Sequence, residues 1–120
     1  MTIKTFYFNP YRECTYVLAN NDGKAIIIDA GMHTEQEQQR FAEYIHQRHI
    51  DPIALLITHS HPDHICGLAF LEQQYQLNPI IHPEEGTLEF HEANIRIDVI
   101  ATPGHKEDAV CYYLPNEKIL

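Results

Sequence analysis

Residues 53–64 read Ile53-Ala54-Leu55-Leu56-Ile57-Thr58-His59-Ser60-His61-Pro62-Asp63-His64, an apolar run that ends in three histidines and a carboxylate. Five continuous apolar residues are too few for a stable helix and fit a central strand covered on both faces. His59 and His61 stand two apart. On an extended segment that spacing puts both imidazoles on one side, whereas on a helix they would diverge by about 200°. Pro62 disfavours the helical region for His61, so the pair is expected to be extended. Asp63 then falls at a helix N-cap position and His64 in the first turn. An apolar-periodic helix follows to about Tyr75, with Leu68, Leu71 and Tyr75 facing inward. Polar groups at the carboxyl end of a buried strand sit where α/β proteins usually build a site.

The flanking chain supplies further strands. Ile3–Phe8 and Cys14–Asn20 are aromatic and β-branched, separated by an Asn9-Pro10-Tyr11 turn. Asn21-Asp22-Gly23 is a hairpin signal, and Lys24–Asp29 follows as a strand whose Ala25-Ile26-Ile27-Ile28 run implies burial on both faces. Asp29-Ala30-Gly31 closes it. Thr34 and Glu37 have capping-box spacing and open a helix to about His49, with Phe41, Tyr44 and Ile45 on its inner stripe and His49 as one alternative addition to it. Ile50-Asp51-Pro52 is expected to break that helix. Beyond the histidines, Pro79–His82 reads as a brief strand, Thr87–Phe90 and Ile95–Ala101 as a hairpin, and Ala109–Leu114 as a strand. Thr102-Pro103-Gly104-His105 forms a loop, and Lys118-Ile119-Leu120 begins another strand. The fold class is α+β, with a mixed sheet and two main helices.

Three imidazoles and a carboxylate within six residues are a divalent-metal signature, since neutral imidazole is the commonest nitrogen ligand for zinc. Residues 58–64 resemble the T-H-x-H-x-D-H motif of the metallo-β-lactamase-fold hydrolases. Thr102-Pro103-Gly104-His105 resembles their T-P-G-H element, and Asp29-Ala30-Gly31 their early D-x-G element. The order of elements is similar from Ile3 through His105, and the glyoxalase II-like branch looks nearest. The resemblance implies an αββα-type sandwich. It also implies His59, His61 and His105 as a three-histidine metal site, Asp63 and His64 as part of a second site, and Asp29 as a residue ordering the ligand loop. The implied cofactor is zinc, one or two ions per chain, with iron as the other candidate.

The same resemblance asks for a later aspartate bridging two metals and one more histidine. Neither is present before Leu120, and the stretch between His82 and Thr87 is short. Residues 1–120 are therefore expected to form a single truncated domain, the N-terminal half of the sandwich, lacking the second β-sheet and helix layer. An apolar sheet face left uncovered in this way would be buried by a partner. A homodimer is the expected solution, with the Ile119-Leu120 edge available for pairing. Glu107 and Asp108 follow His105 and are read as a solvated acidic loop. A substitute ligand among them is the lesser reading.

Eight Lys+Arg against 17 Asp+Glu give a net charge of −9, with 44% hydrophobic residues. That balance excludes a nucleic-acid partner, which needs a basic stripe, and suits a small-molecule substrate. No apolar stretch is long enough to span a membrane, and the N-terminus lacks a signal-peptide core. Three cysteines without a C-x-x-C pair favour reduced thiols and a cytoplasmic protein. Cys14 and Cys111 are expected in the core and Cys66 as a small buried hydrophobe. His46, His49 and His91 are placed on surfaces, His82 near the site and His33 at its edge. Asp98 is expected to face outward, and only one of Tyr112 and Tyr113 inward.

A divalent ion at the three histidines would leave a vacant position for water and bring its pKa toward neutrality. The expected activity is hydrolysis of a small ester or thioester by metal-bound hydroxide, impaired if the remaining half is needed. Asp63 is the candidate catalytic residue, orienting the nucleophile or taking its proton. Two alternatives stand beside this. One is a catalytically silent metal-binding half-domain that pairs as a structural module, and the other is a mononuclear iron oxidoreductase.

Overall fold

Eight strands and two helices make up the described parts of the computed structural model, which cover residues 2–10, 13–58, 65–81, 86–101 and 110–113. Strands β1 (Thr2–Phe8), β2 (Glu13–Ala19) and β3 (Lys24–Ile28) are antiparallel neighbours. Asn20 Oδ1 accepts from the backbone N–H groups of Asp22 and Lys24 and shapes the turn between β2 and β3. Helix α1 (Glu35–Gln47) then crosses to β4 (Asp51–Leu56), and helix α2 (Leu68–Tyr75) to β5 (Pro79–Ile80). Both crossovers give parallel pairs, so the first sheet runs β1-β2-β3-β4-β5 and is mixed. Strands β6 (Gly86–Phe90), β7 (Ile95–Ala101) and β8 (Val110–Tyr113) form a second, antiparallel sheet.

The two faces of the first sheet are separated by strand parity. Ala25 and Ile27 of β3, with Leu55 of β4, point toward the helices and meet Phe41, Ile45 and Leu71. Ile26, Ile28, Ala54 and Leu56 point the other way and meet Ile95, Ile97, Val99 and Tyr112 of the second sheet. This corrects one expectation: a second sheet is present. The apolar face expected to need a partner is covered by β6–β8 of the same chain. The alternation of Ile95, Ile97 and Val99 with Arg96, Asp98 and Ile100 is what lets β7 cover it. As expected, Asp98 lies on the outward side, where it accepts from Thr87 Oγ1 at 2.8 Å.

Helix α1 begins as its spacing predicts. Thr34 accepts from the Glu37 N–H, and the Glu37 carboxylate returns to the Thr34 N–H. It ends earlier than expected, at Gln47, and His49 is exposed in a left-handed conformation, φ 54°. His49 therefore does not join the inner stripe. Asp51 and Pro52 belong to β4, where the pairing with β3 shifts between Ala25 and Ile26 and accommodates the proline. Helix α2 starts at Leu68, and the N–H of its N-cap Gly67 donates to the Ala30 carbonyl at 2.7 Å. Leu71 is fully buried, and Leu68 and Tyr75 pack partly buried against the same core. Among the described residues no helix is long and apolar enough to cross a membrane.

Candidate functional site

Strand β3 stops at Ile28 because Asp29 turns to a left-handed conformation, φ 68°. Aspartate is one of the few side chains that tolerate it. The Asp29 N–H still reaches the Leu56 carbonyl at 2.8 Å, so the turn leaves the sheet beside the end of β4. There the Asp29 carboxylate accepts two bonds from Thr58, from its N–H at 2.8 Å and from its Oγ1 at 2.7 Å. Thr58 immediately precedes His59. Asp29 is 2% exposed, so these bonds form away from bulk water and fix the exit of β4 strongly.

The next residues of the same loop grip the other flank. Cys66 Sγ donates to the Gly31 carbonyl at 3.2 Å, and the Gly67 N–H donates to the Ala30 carbonyl. Gly67 is needed for that approach, because a Cβ there would lie 2.3 Å from Met32 Sδ and 2.7 Å from the Met32 carbonyl oxygen. Residues 29–32 thus hold both Thr58 and the Cys66–Gly67 pair, the two ends of the segment containing His59, His61, Asp63 and His64. Burial raises the Cys66 thiol above its usual range, partly offset by hydrogen bonding. It behaves as an inert fastening more than a nucleophile.

The loop is itself braced from two sides. Thr15 Oγ1 accepts from the Gly31 N–H at 3.1 Å and donates to Glu13 Oε2 at 2.9 Å. From the other side, Asn9 Nδ2 donates to the Gly31 carbonyl, and the Glu37 carboxylate accepts from the N–H groups of Asn9, His33 and Thr34. Burial works to raise the Glu37 pKa, but those three donors and Arg40 outweigh it and hold it below 4.5.

The second sheet arrives at the same corner. Tyr112 is completely buried, and its hydroxyl donates to the Ile57 carbonyl at 2.6 Å. Burial and the nearby Asp29 charge push that hydroxyl's pKa well above the usual phenol range, so it stays a donor at neutral pH. Tyr112 pairs with Val99, and the hairpin continues to the Ala101–Val110 rung. Residues 102–109, with Thr102-Pro103-Gly104-His105, span the gap between those two paired positions.

The residues expected to bind metal, His59, His61, Asp63, His64 and His105, all lie outside the described residues, as do His82, Glu107 and Asp108. Among the described residues, no three His, Cys, Asp or Glu side chains gather in a way that could hold an ion. His33, His46, His49 and His91 are exposed. Cys14 is only half-buried, contrary to expectation, because its neighbours Glu13 and Thr15 take the inward face of β2. That polar pair is the part of the site sequence reasoning missed. Its only signal is parity, since Glu13, Thr15 and Val17 alternate on one face. His59, His61 and His105 carry imidazoles and Asp63 a carboxylate, side-chain types whose donor chemistry suits a divalent cation.

A profile of the Metallo-beta-lactamase superfamily matches residues 10–98. A hydroxyacylglutathione hydrolase from Nitrosomonas eutropha is 29% identical, over 95% of this chain and 48% of that protein. The chain spans about half the length of the curated relatives it matches. In three dimensions it resembles the BLEG-1 B3 metallo-beta-lactamase, with a TM-score of 0.85 and 21% identity, over 97% of this chain and 68% of that one. It also resembles TTHA1623, solved in a di-iron-bound form, with a TM-score of 0.73 and 23% identity, over 96% of this chain and 67% of that one.

Proposed function

We propose, on the premise that the chain belongs to the Metallo-beta-lactamase superfamily, that it is a metal-dependent hydrolase of a small thioester. The substrate class follows the relatives named as hydroxyacylglutathione hydrolases. The observation that supports this best is the grip of residues 29–32 on both flanks of the histidine segment, through Thr58 on one side and Cys66 and Gly67 on the other. A buried carboxylate that accepts two bonds, with one thiol and one backbone bond beside it, is a large investment for a loop without a task.

In this reading His59, His61 and His105 hold one divalent ion, zinc being the ion that suits three imidazoles, and Asp63 and His64 contribute to a second position. When bound, such an ion lowers the pKa of water and polarises the acceptor oxygen of a thioester. Asp63 orients the attacking water and takes up its proton. Asp29 fixes Thr58, the residue before His59, and Cys66 and Gly67 fix the chain two residues after His64, so both ends of the segment that carries the four donors are held. Held ends would lower the entropy lost when its ligands close on an ion.

The test is hydrolysis of a hydroxyacylglutathione by the zinc-loaded chain, with His59→Ala and His105→Ala as comparisons. Each substitution is expected to lower turnover by about 100-fold or more. Turnover that survives both would refute the site. A rate equal to that of free zinc would refute the hydrolase reading and favour a metal-binding module without catalysis.

A further inference from the structure

Lys4, Arg40 and Arg48 gather on one flank of the first sheet, in a chain of net charge −9. Arg40, Tyr44 and Arg48 follow at four-residue steps and form a stripe along α1 and its C-cap. That stripe faces the outer strand β1. Lys4 Nζ lies 5.3 Å from the Phe6 ring centre and 5.6 Å from that of Tyr44. Arg40 Cζ sits 4.9 Å over Phe8, and Arg48 Cζ 5.4 Å over Tyr44. The rings carry the side-chain stems and leave the cationic heads at the surface. The described ion pairs lie elsewhere, at Lys24–Asp51, Glu89–His91 and Arg96–Asp98. Among the described residues, none of the three cations has a carboxylate within ion-pair distance, and Arg40 acts on Glu37 from farther away. Their positive field is open to an anion from outside.

The backbone beside them is open as well. β1 ends its sheet, with no strand beyond it among the described residues. Lys4, Thr5, Phe6 and Tyr7 line a groove of about 470 Å³ together with Arg40 and Tyr44. Successive strand residues point to opposite faces, so a groove that touches all four runs along the strand's edge. The Tyr7 carbonyl faces this edge and accepts from Arg40 Nη2 at 3.0 Å, and the Asn9 N–H faces it and donates to Glu37 at 2.6 Å. Outward-facing backbone groups recur at every second residue, which puts those of Ile3 and Thr5 on the same edge. We propose that this edge binds an extended acidic segment of a partner protein, which adds as a further strand beside β1 and sets its carboxylates on Arg40, Lys4 and Arg48. None of the residues assigned to the hydrolase takes part.

The spacing supports a strand. Arg40 and Arg48 are eight residues apart on the helix, about 12 Å, and four residues of a strand span about 13 Å. Acidic side chains at alternate positions of one extended segment therefore match the row of three cations. The intervening side chains would lie on the other face, beside half-buried Ile3 and Thr5 and the 54% exposed Tyr7, a place suited to β-branched residues. The one carboxylate of the groove lining, Glu43, accepts from Gln39 along its own helix. A second copy of this chain is the poorer occupant, because pairing β1 with its own image brings like cations together.

The test uses a capped peptide of about six residues, glutamate alternating with valine, titrated into the full chain by calorimetry and by amide shifts. A Kd of about 0.1 mM at low salt is expected, weakening as salt rises, with shifts centred on residues 3–7. Replacing glutamate by lysine, or the central valine by proline, is expected to weaken binding about tenfold or more. Lys4→Gln and Arg48→Gln should each weaken it about threefold, and Arg96→Gln, on the second sheet, should leave it unchanged. Thr5→Pro removes an edge N–H that β2 does not use and should cost about tenfold. Should that variant unfold, the glutamine variants and the proline peptide still decide. Equal binding of the proline peptide would reduce the contact to charge alone and overturn the proposal. Affinity indifferent to Lys4→Gln and Arg48→Gln, or no binding at about 1 mM peptide, would overturn it too. A dimer in solution that the peptide dissolves would assign the edge to a second copy instead.

Discussion

Replacing Asp29 tests the grip on the histidine segment most sharply, because one side chain combines a left-handed backbone with two bonds to Thr58. In Asp29→Ala both bonds are lost, and the Thr58 N–H loses its acceptor. Hydrogen bonds to a charged group contribute about 1.5–3 kcal/mol each, and shared loss within one pair lowers the sum to about 3 kcal/mol. Alanine at φ 68° adds about 2 kcal/mol of backbone strain. The expected total is about 5 kcal/mol, a large part of the roughly 5–15 kcal/mol that stabilises a domain. Asp29→Gly loses the same bonds without the strain and is expected to be about 1 kcal/mol less damaging, after the greater freedom of unfolded glycine is allowed for. Asp29→Asn keeps the Thr58 N–H bond, and its amide can donate to the threonine oxygen, so the cost is about 1 kcal/mol. Urea unfolding of the metal-free chain would read the order directly, and heating should lower the alanine variant's Tm by about 15 °C. Alanine and glycine variants of equal stability would refute the strain argument. An alanine variant within about 1 kcal/mol of the parent would refute the grip itself.

Two further outcomes follow from neighbouring contacts. Gly67→Ala drives a methyl group against both the side chain and the carbonyl of Met32 and should cost about 1–3 kcal/mol in the same unfolding assay. Met32→Ala in that background should recover only part of it, because the carbonyl stays. Glu37 has a folded pKa lowered beneath 4.5, so its contribution is full above that value and is lost as pH falls through the folded pKa. Glu37→Gln is therefore expected to destabilise by about 1 kcal/mol or less at neutral pH, the carboxylate being partly open to solvent. The gap should close in acid below pH 4.5, and a gap that widens in acid would contradict the assigned donors.

Local chemistry carried most of the fold into view. The Thr34–Glu37 spacing, the Asn21–Gly23 turn and the unbroken β3 and β4 runs each report an interaction made within a few residues, and each is found in place. The second sheet is hidden for a different reason. A resemblance to a longer protein assigns the covering layer to later residues, although Ile95, Ile97 and Val99 have the period of a covering strand. The inward turn of Glu13 and Thr15 was hidden because hydropathy favours Cys14 for that face. Burying the polar pair makes sense only once Gly31, 16 residues from Thr15, supplies an N–H. The Tyr112–Ile57 bond spans 55 residues and leaves no local trace at all. The histidine motif was legible as chemistry, and the braces around it were not.

In the proposed site, imidazoles from distant parts of the chain share one ion. X-ray absorption at the zinc edge, on chain loaded with one zinc equivalent, tests it most directly. Three imidazole nitrogens at about 2.0–2.1 Å are expected, falling to two in His105→Ala. A spectrum without imidazole scattering, or one left unchanged by His105→Ala, would contradict the account.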